Sequence, residues 1–347
     1  VSLRVSMAAM DNTVFDASGE ALVAICREQL QPQIKELCLM YNRIEAIEHL
    51  DLLPELQKLS LRANRVKVLG GIEGCVKLRE VELYENQIER IEGLHGLSQL
   101  VVLDLSFNKV SAIDGLEGAG LDSLRELYLS SNLITEMRGL RGLPSLRVLE
   151  LGSNKIRELR GLEHLPLLEE LHVGRNKICS LEGIASLHAL RILGVASNRL
   201  RRCNVEGLMS LREIYADHNG IDGMEGLVGL SRLHTLELSS NKLVSVECAT
   251  LSSLEELWLN GNPIADEAAV LQIGALRQLK TIYLADCPLS KRPDYREMVL
   301  RLASSTLSQL DAEILTPANT ACVARDTSAT TATTACVARG PSDSGVT

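Results

Sequence analysis

Apolar residues recur along this chain in one frame, leucine-x-x-leucine-x-leucine, closed three positions later by asparagine, as in Leu146 to Asn154. The asparagines stand at Asn42, Asn64, Asn86, Asn108, Asn132, Asn154, Asn176, Asn198, Asn219, Asn241 and Asn262, at steps of 22, 22, 22, 24, 22, 22, 22, 21, 22 and 21 residues. One further unit, Leu279 to Cys287, keeps the frame with cysteine in the asparagine position. Alternate leucines share one face of a short strand, so Leu149 and Leu151 point to a core while Val148, Glu150 and Gly152 point away from it. A unit this short cannot bury its apolar face alone. It must stack on its neighbours, which makes the core a continuous column. Asparagine falls where the chain leaves the strand, and its amide can satisfy backbone groups that the turn would otherwise bury unpaired. Cysteine does this only weakly. The return half of each unit is short and often carries glycine, as in Ile91 to Leu94 and Leu159 to Leu162, so it predicts 3₁₀ turns or brief helices.

The period and the frame together define an α/β leucine-rich-repeat solenoid, with a parallel sheet on its concave side and short turns and helices on its convex side. Residues 1–17 carry no repeat and are expected to be disordered. Residues 18–33 place Leu22, Ile25, Cys26 and Leu30 at helical spacing between Ser18 and Pro32, which predicts a capping helix. Residues 34–287 are the repeat domain of about twelve units. The fourth unit is longer by two residues near Glu117 to Gly120, in the return leg. Residues 288–315 form a C-terminal cap, in which Tyr295, Met298, Val299 and Leu302 have helical periodicity. Residues 316–347 are rich in alanine, threonine and serine, repeat TACVAR, and are expected to be disordered.

With nearly all large core positions aliphatic, the aromatic residues lie elsewhere. The strand position between the second and third leucine of the frame reads Cys38, Ser60, Glu82, Asp104, Tyr128, Glu150, His172, Gly194, Tyr215, Glu237, Trp258 and Tyr283. Strands about 4.8 Å apart would turn this row into a stripe roughly 50 Å long on the concave face. The position two residues earlier adds Glu36, Glu80, Glu126, Glu170, Glu213 and Glu256, and the position two later adds Tyr84 and Asp217. Basic residues there are chiefly Lys58 and Arg62. Tyrosine and tryptophan give large contact area at low entropic cost, and a row of carboxylates asks for a basic partner. The net charge of −9 and pI near 5.4 argue against nucleic acid or an anionic membrane as that partner.

The nine cysteines include no C-x-x-C pair, which reads as free thiols in a reducing compartment. No apolar run reaches the roughly 18 residues of a membrane span. VSLRVSMAAM is too weakly apolar for a signal peptide, and without an initiator methionine the chain is expected to be a fragment. His49, His95, His164, His172, His188, His218 and His234 occupy different points of the unit and form no pair at metal-ligand spacing. There is no phosphate loop, nucleophile elbow or dinucleotide fingerprint. The expectation is therefore a monomeric binding protein, with no catalytic residue, cofactor or metal.

The short repeats, together with LDLSFN (Leu103 to Asn108), LELGSN (Leu149 to Asn154), LREIYADHNGI (Leu211 to Ile221), EELWLNGN (Glu255 to Asn262) and the cap TIYLADCPLSKRPDYREMVL (Thr281 to Leu300), resemble the protein phosphatase 1 regulatory subunit 7 family. The resemblance covers roughly Ile34 to Asp311. It implies a nuclear and cytoplasmic regulator that grips the phosphatase catalytic subunit, and leaves room for a third regulatory protein. The implied contacts are Asp104, Tyr128, Glu150, His172, Glu237, Glu256, Trp258 and Tyr283; the residue pattern itself adds Tyr215. Tyr128 and His172 stand where that family resembles phenylalanine, and Glu237 where it resembles aspartate. The docking motif basic-Val-x-Phe is missing, so binding would use the repeat face. Similar repeats and caps also suggest an axonemal or centrosomal scaffold for dynein or tubulin-associated proteins, and a spliceosomal scaffold fits the acidic face less well.

Overall fold

Each leucine frame forms a strand of three residues centred on its second leucine, as in Val148–Glu150 around Leu149, before the chain turns at the asparagine. The structure, a computed structural model, describes residues 12–302 and 306–316. Fifteen strands form a single sheet in chain order. β1 (Val14–Asp16), β2 (Glu36–Cys38) and the strands after them to β13 (Thr281–Tyr283) pair in parallel, each with the next unit. The central aliphatic residue of each strand from β2 to β13 is fully buried, while the residues beside it are mostly half-buried on the open, concave face.

The asparagines close the turns. Asn154 Nδ2 donates to Leu129 O of the preceding unit at 2.9 Å and to Leu151 O of its own at 3.0 Å. Its Oδ1 accepts the Ile134 N–H of the preceding unit at 3.0 Å. The same set recurs from Asn42, on Ala17 O and Leu22 N, to Asn262, on Leu238 O and Leu243 N. Cys287 makes only the weaker Sγ contact, 3.3 Å to Leu259 O. Among the described residues no buried side-chain nitrogen or oxygen lacks a partner.

The return legs hold three-residue 3₁₀ turns, such as Asp114–Leu116, Leu162–His164 and Glu182–Ile184, and one helix, α1 (Ala268–Gly274). Glycine here allows turns to touch. A Cβ on Gly183 would lie 1.4 Å from Leu159 O, and one on Gly115 would lie 1.7 Å from Ile91 O. The two extra residues of the fourth unit are absorbed by Gly118 and Gly120, both at φ +75°.

The N-terminal segment differs from its expected form. Residues 14–16 are a strand, not a loose tail, and residues 18–33 contain no α-helix, only a 3₁₀ turn at Arg27–Gln29. Phe15 pairs with Leu37 at the repeat offset, and the same offset sets Leu22 over Ile44 and Ile25 over Ile47. The apparent helical spacing is thus the i, i+3 spacing of a solenoid return leg. Ser18 is no helix cap; its Oγ accepts the Met40 N–H at 3.2 Å. The expectations for residues 1–11 and 317–347 lie outside the described residues.

At the other end α2 (Tyr295–Leu302) turns Tyr295, Met298 and Val299 onto the core. β14 (Gln309–Leu310) extends the parallel sheet and β15 (Glu313–Ile314) folds back on it antiparallel. Asp311, in the turn between them, accepts the Leu284 and Ala285 N–H groups at 2.6 and 2.8 Å and the Tyr295 hydroxyl at 2.8 Å.

Asn154→Ala should cost about 3 kcal/mol or more, since it strands several buried backbone groups at roughly 1–3 kcal/mol each. Asn198→Ala, at a half-buried site, should cost less. Denaturant unfolding checks this; a loss for Asn154→Ala of only about 0.5 kcal/mol, the level of a surface substitution, would contradict it.

Candidate functional site on the concave face

The parallel register sets equivalent residues side by side. Asp104 neighbours Tyr128, which neighbours Glu150 and then His172; after Gly194 come Tyr215, Glu237, Trp258 and Tyr283. All the residues named from the sequence lie on the same open face, and Glu256 shares the strand of Trp258. Trp258 is half-buried, outside the aliphatic core. Its ring stacks on Tyr283 with centroids 4.0 Å apart and planes 9° from parallel. The Tyr283 hydroxyl in turn accepts Gln309 Nε2 at 2.6 Å, so the cap strand holds the aromatic pair in place.

Two tyrosines repeat one arrangement. Tyr128 Oη donates to Glu126 Oε2 and Tyr215 Oη to Glu213 Oε2, each at 2.8 Å along its own strand. Burial, and then the neighbouring carboxylate, push both phenols up, Tyr215 to about 12, so both stay protonated donors. Asp104 is raised by burial, against the opposing Ser106 N–H bond of 2.9 Å. Glu237 is raised by burial and then by the like charge of Asp217. Glu150 accepts Ser130 Oγ at 2.7 Å, and His172 Nε2 lies 3.7 Å from Glu170. At the N-terminal end burial works against the ionised form of Glu82, but the Ser60 hydroxyl and Lys58 outweigh it and lower its pKa.

Between Phe107 and Tyr215 the face sinks into a groove of about 440 Å³, floored by Gly152, Gly174, Gly194 and Ala196 and edged by Glu150 and His172. Among the described residues no lysine or arginine pairs with Glu126, Glu150, Glu170, Glu213, Glu237 or Glu256. The surface can therefore hold a basic, ring-contacting protein face. No set of three or more His, Cys, Asp or Glu residues is arranged to hold a metal ion among the described residues. No described helix is long and apolar enough to cross a membrane.

One cluster escaped the sequence reading. Arg62 lies over the Tyr84 ring at 5.0 Å, and Tyr84 meets Phe107 at 4.9 Å. Phe107 belongs to the column just before the asparagine, where Tyr41 is the only other bulky aromatic residue. Reading that column as a row would have found both.

Comparison with known proteins agrees with this architecture. Sequence profiles described as leucine rich repeat match residues 54–110, 76–134 and 99–156, and one described as leucine rich repeats (2 copies) matches residues 144–186. No curated protein sequence matches. A leucine-rich-repeat protein of Leptospira interrogans superposes with TM-score 0.67 at 24% identity, over 83% of this chain and 81% of that one. An internalin of Listeria monocytogenes superposes with TM-score 0.62 at 22% identity, over 83% and 89%. A chain of the LRIM1/APL1C complex does so with TM-score 0.61 at 21% identity, over 74% and 48%. At these identities the likeness is one of fold. The molecule is a leucine-rich-repeat solenoid, a class built to present a surface to other proteins.

The raised pKa of Glu237 has a signed consequence. Its contribution to stability is full below the ordinary carboxylate pKa and is lost as pH rises through the higher folded value. Glu237→Gln should thus be more stable than the parent near neutral pH, by roughly 0.5 kcal/mol once screening is counted, with the gain vanishing toward about pH 4. Thermal melts across that range check it; a variant less stable at neutral pH would contradict it.

Proposed function

We propose that this protein is a non-catalytic regulatory subunit that cups the catalytic subunit of protein phosphatase 1 on its concave sheet, in the nucleus and cytoplasm. The observation that carries the reading is the stacked Trp258–Tyr283 pair, standing half-buried on an open face beside Glu237 and Glu256. A tryptophan placed outside the core costs apolar burial. Its use is contact, since rigid rings at the centre of an interface supply much of the binding energy.

The unpaired carboxylates from Glu126 to Glu256 call for a basic partner surface, which they would steer and orient more than they would add to affinity. The resemblance of the repeats and cap to the regulatory subunit 7 family supplies the identity of that partner. A protein partner in general accords with the use of this fold in the LRIM1/APL1C complex and in a plant peptide hormone receptor, RGFR1, solved in complex with RGF2. The open face offers no enclosed site from which water is excluded, so the chain's contribution is to bind and orient the enzyme.

Trp258→Ala should weaken binding to purified phosphatase catalytic subunit by about 30-fold, the equivalent of about 2 kcal/mol for a hot-spot ring. Calorimetric titration measures it. Unchanged affinity in the double variant Trp258→Ala, Tyr283→Ala would overturn the reading, as would recovery of dynein or tubulin-associated proteins and no phosphatase on affinity purification.

A further inference from the structure

The residue before each asparagine is held in the left-handed region, at φ between +53° and +60° wherever it is not glycine. For an L-residue this conformation costs roughly 1–2 kcal/mol, and a bulky side chain there is exceptional. Most units fill the position cheaply, with Ala63, Ser131, Ser153, Ser197, Ser240 or Gly261. Glu85, Arg175 and His218 carry longer polar side chains there, and Phe107 and Tyr41 carry rings. Both sit at φ +56°, and both rings face solvent, 49% and 69% exposed. Neither strain nor exposure helps the fold, and the repeat shows that serine would serve.

These residues form the rim where the strands end. The rim hydrogen bonds run in register, Tyr41 N to Arg62 O at 2.9 Å, Ala63 N to Tyr84 O at 2.9 Å and Glu85 N to Ser106 O at 2.9 Å, so Tyr41, Ala63, Glu85 and Phe107 stand in file. The two exposed rings are then about 14 Å apart, three strand spacings. Between them lie the small Ala63 and the exposed Glu85, which has no basic partner among the described residues. Arg62 is already engaged, over Tyr84 and close enough for its charge to help lower the Glu82 carboxyl and to oppose the rise that burial causes at Asp104.

We propose that Phe107, with Tyr84 behind it and Tyr41 and Glu85 beside it, is a second anchor for the proposed phosphatase partner, receiving an apolar side chain of that protein next to a lysine or arginine that pairs with Glu85. The inference rests on the phosphatase reading above. It adds a contact about 34 Å, or seven strand spacings, from Trp258, so the partner presents two separated patches to one sheet. The patch continues the acidic stripe, because Asp104 ends the strand Val102–Asp104 three residues before Phe107.

The test is Phe107→Ser, which installs the residue that four equivalent positions already carry, titrated as full chain against purified phosphatase catalytic subunit beside the parent and Trp258→Ala. The expected result is affinity at least about 10-fold weaker, with a melting temperature close to the parent's because Phe107 lies outside the buried core. Glu85→Ser should lower affinity several-fold and flatten its salt dependence. Parent binding weakened by Trp258→Ala and untouched by Phe107→Ser would overturn the second anchor alone. A parent that does not bind would overturn both readings.

Discussion

The asparagine amide is the constraint on which this structure depends. A three-residue strand cannot satisfy the backbone of the turn that follows it, and in a stacked solenoid that turn is buried. Each asparagine donates to a carbonyl of its own unit and one of the unit before, and accepts an N–H from the unit before. The bond that closes one turn therefore also fastens it to its neighbour. It holds neighbouring turns in register, and the residue before it takes the left-handed region. Where cysteine replaces asparagine at Cys287 the ladder ends, and Asp311 from the cap strand takes over the exposed N–H groups.

Within the repeats the core is closed without rings, and the buried Tyr295 belongs to the cap. Leucine, isoleucine and valine fill the column at repeat spacing, which leaves aromatic residues to be placed by surface requirements. They lie along one acidic face, with Tyr84 and Phe107 toward the N-terminus, Tyr128 and Tyr215 in its middle, and Trp258 with Tyr283 toward the C-terminus. Between them the face is low, floored by glycines, and its carboxylates are held by serine and tyrosine hydroxyls and not by cations. The arrangement suits a partner that meets both ends and brings the positive charge.

Much of this was legible in the sequence, because strand period and repeat period are both written in leucine. The stripe from Cys38 to Tyr283 could be read position by position and lies in register in the fold. The N-terminal turn was misread for a physical reason: Leu22 and Ile25 are three apart, a spacing that a helix and a solenoid return leg share, and only the 22-residue offset to Ile44 and Ile47 separates the two. The β14–β15 hairpin has strands of two residues, too short to show a pattern. Gly115 and Gly183 resemble turn glycines, yet they serve close approach between turns, which depends on a neighbour one unit away. The left-handed site of Phe107 is likewise set by the turn of the repeat, as at Asp286 before Cys287, and not by any preference of phenylalanine.

The central claim is that the single tryptophan was placed on the concave sheet to meet a partner. Fluorine NMR of the chain carrying fluorotryptophan reports on Trp258 alone. On addition of unlabelled phosphatase catalytic subunit the resonance should shift and broaden as the complex forms. A resonance that stays unmoved and sharp while gel filtration shows the complex saturated would contradict the account.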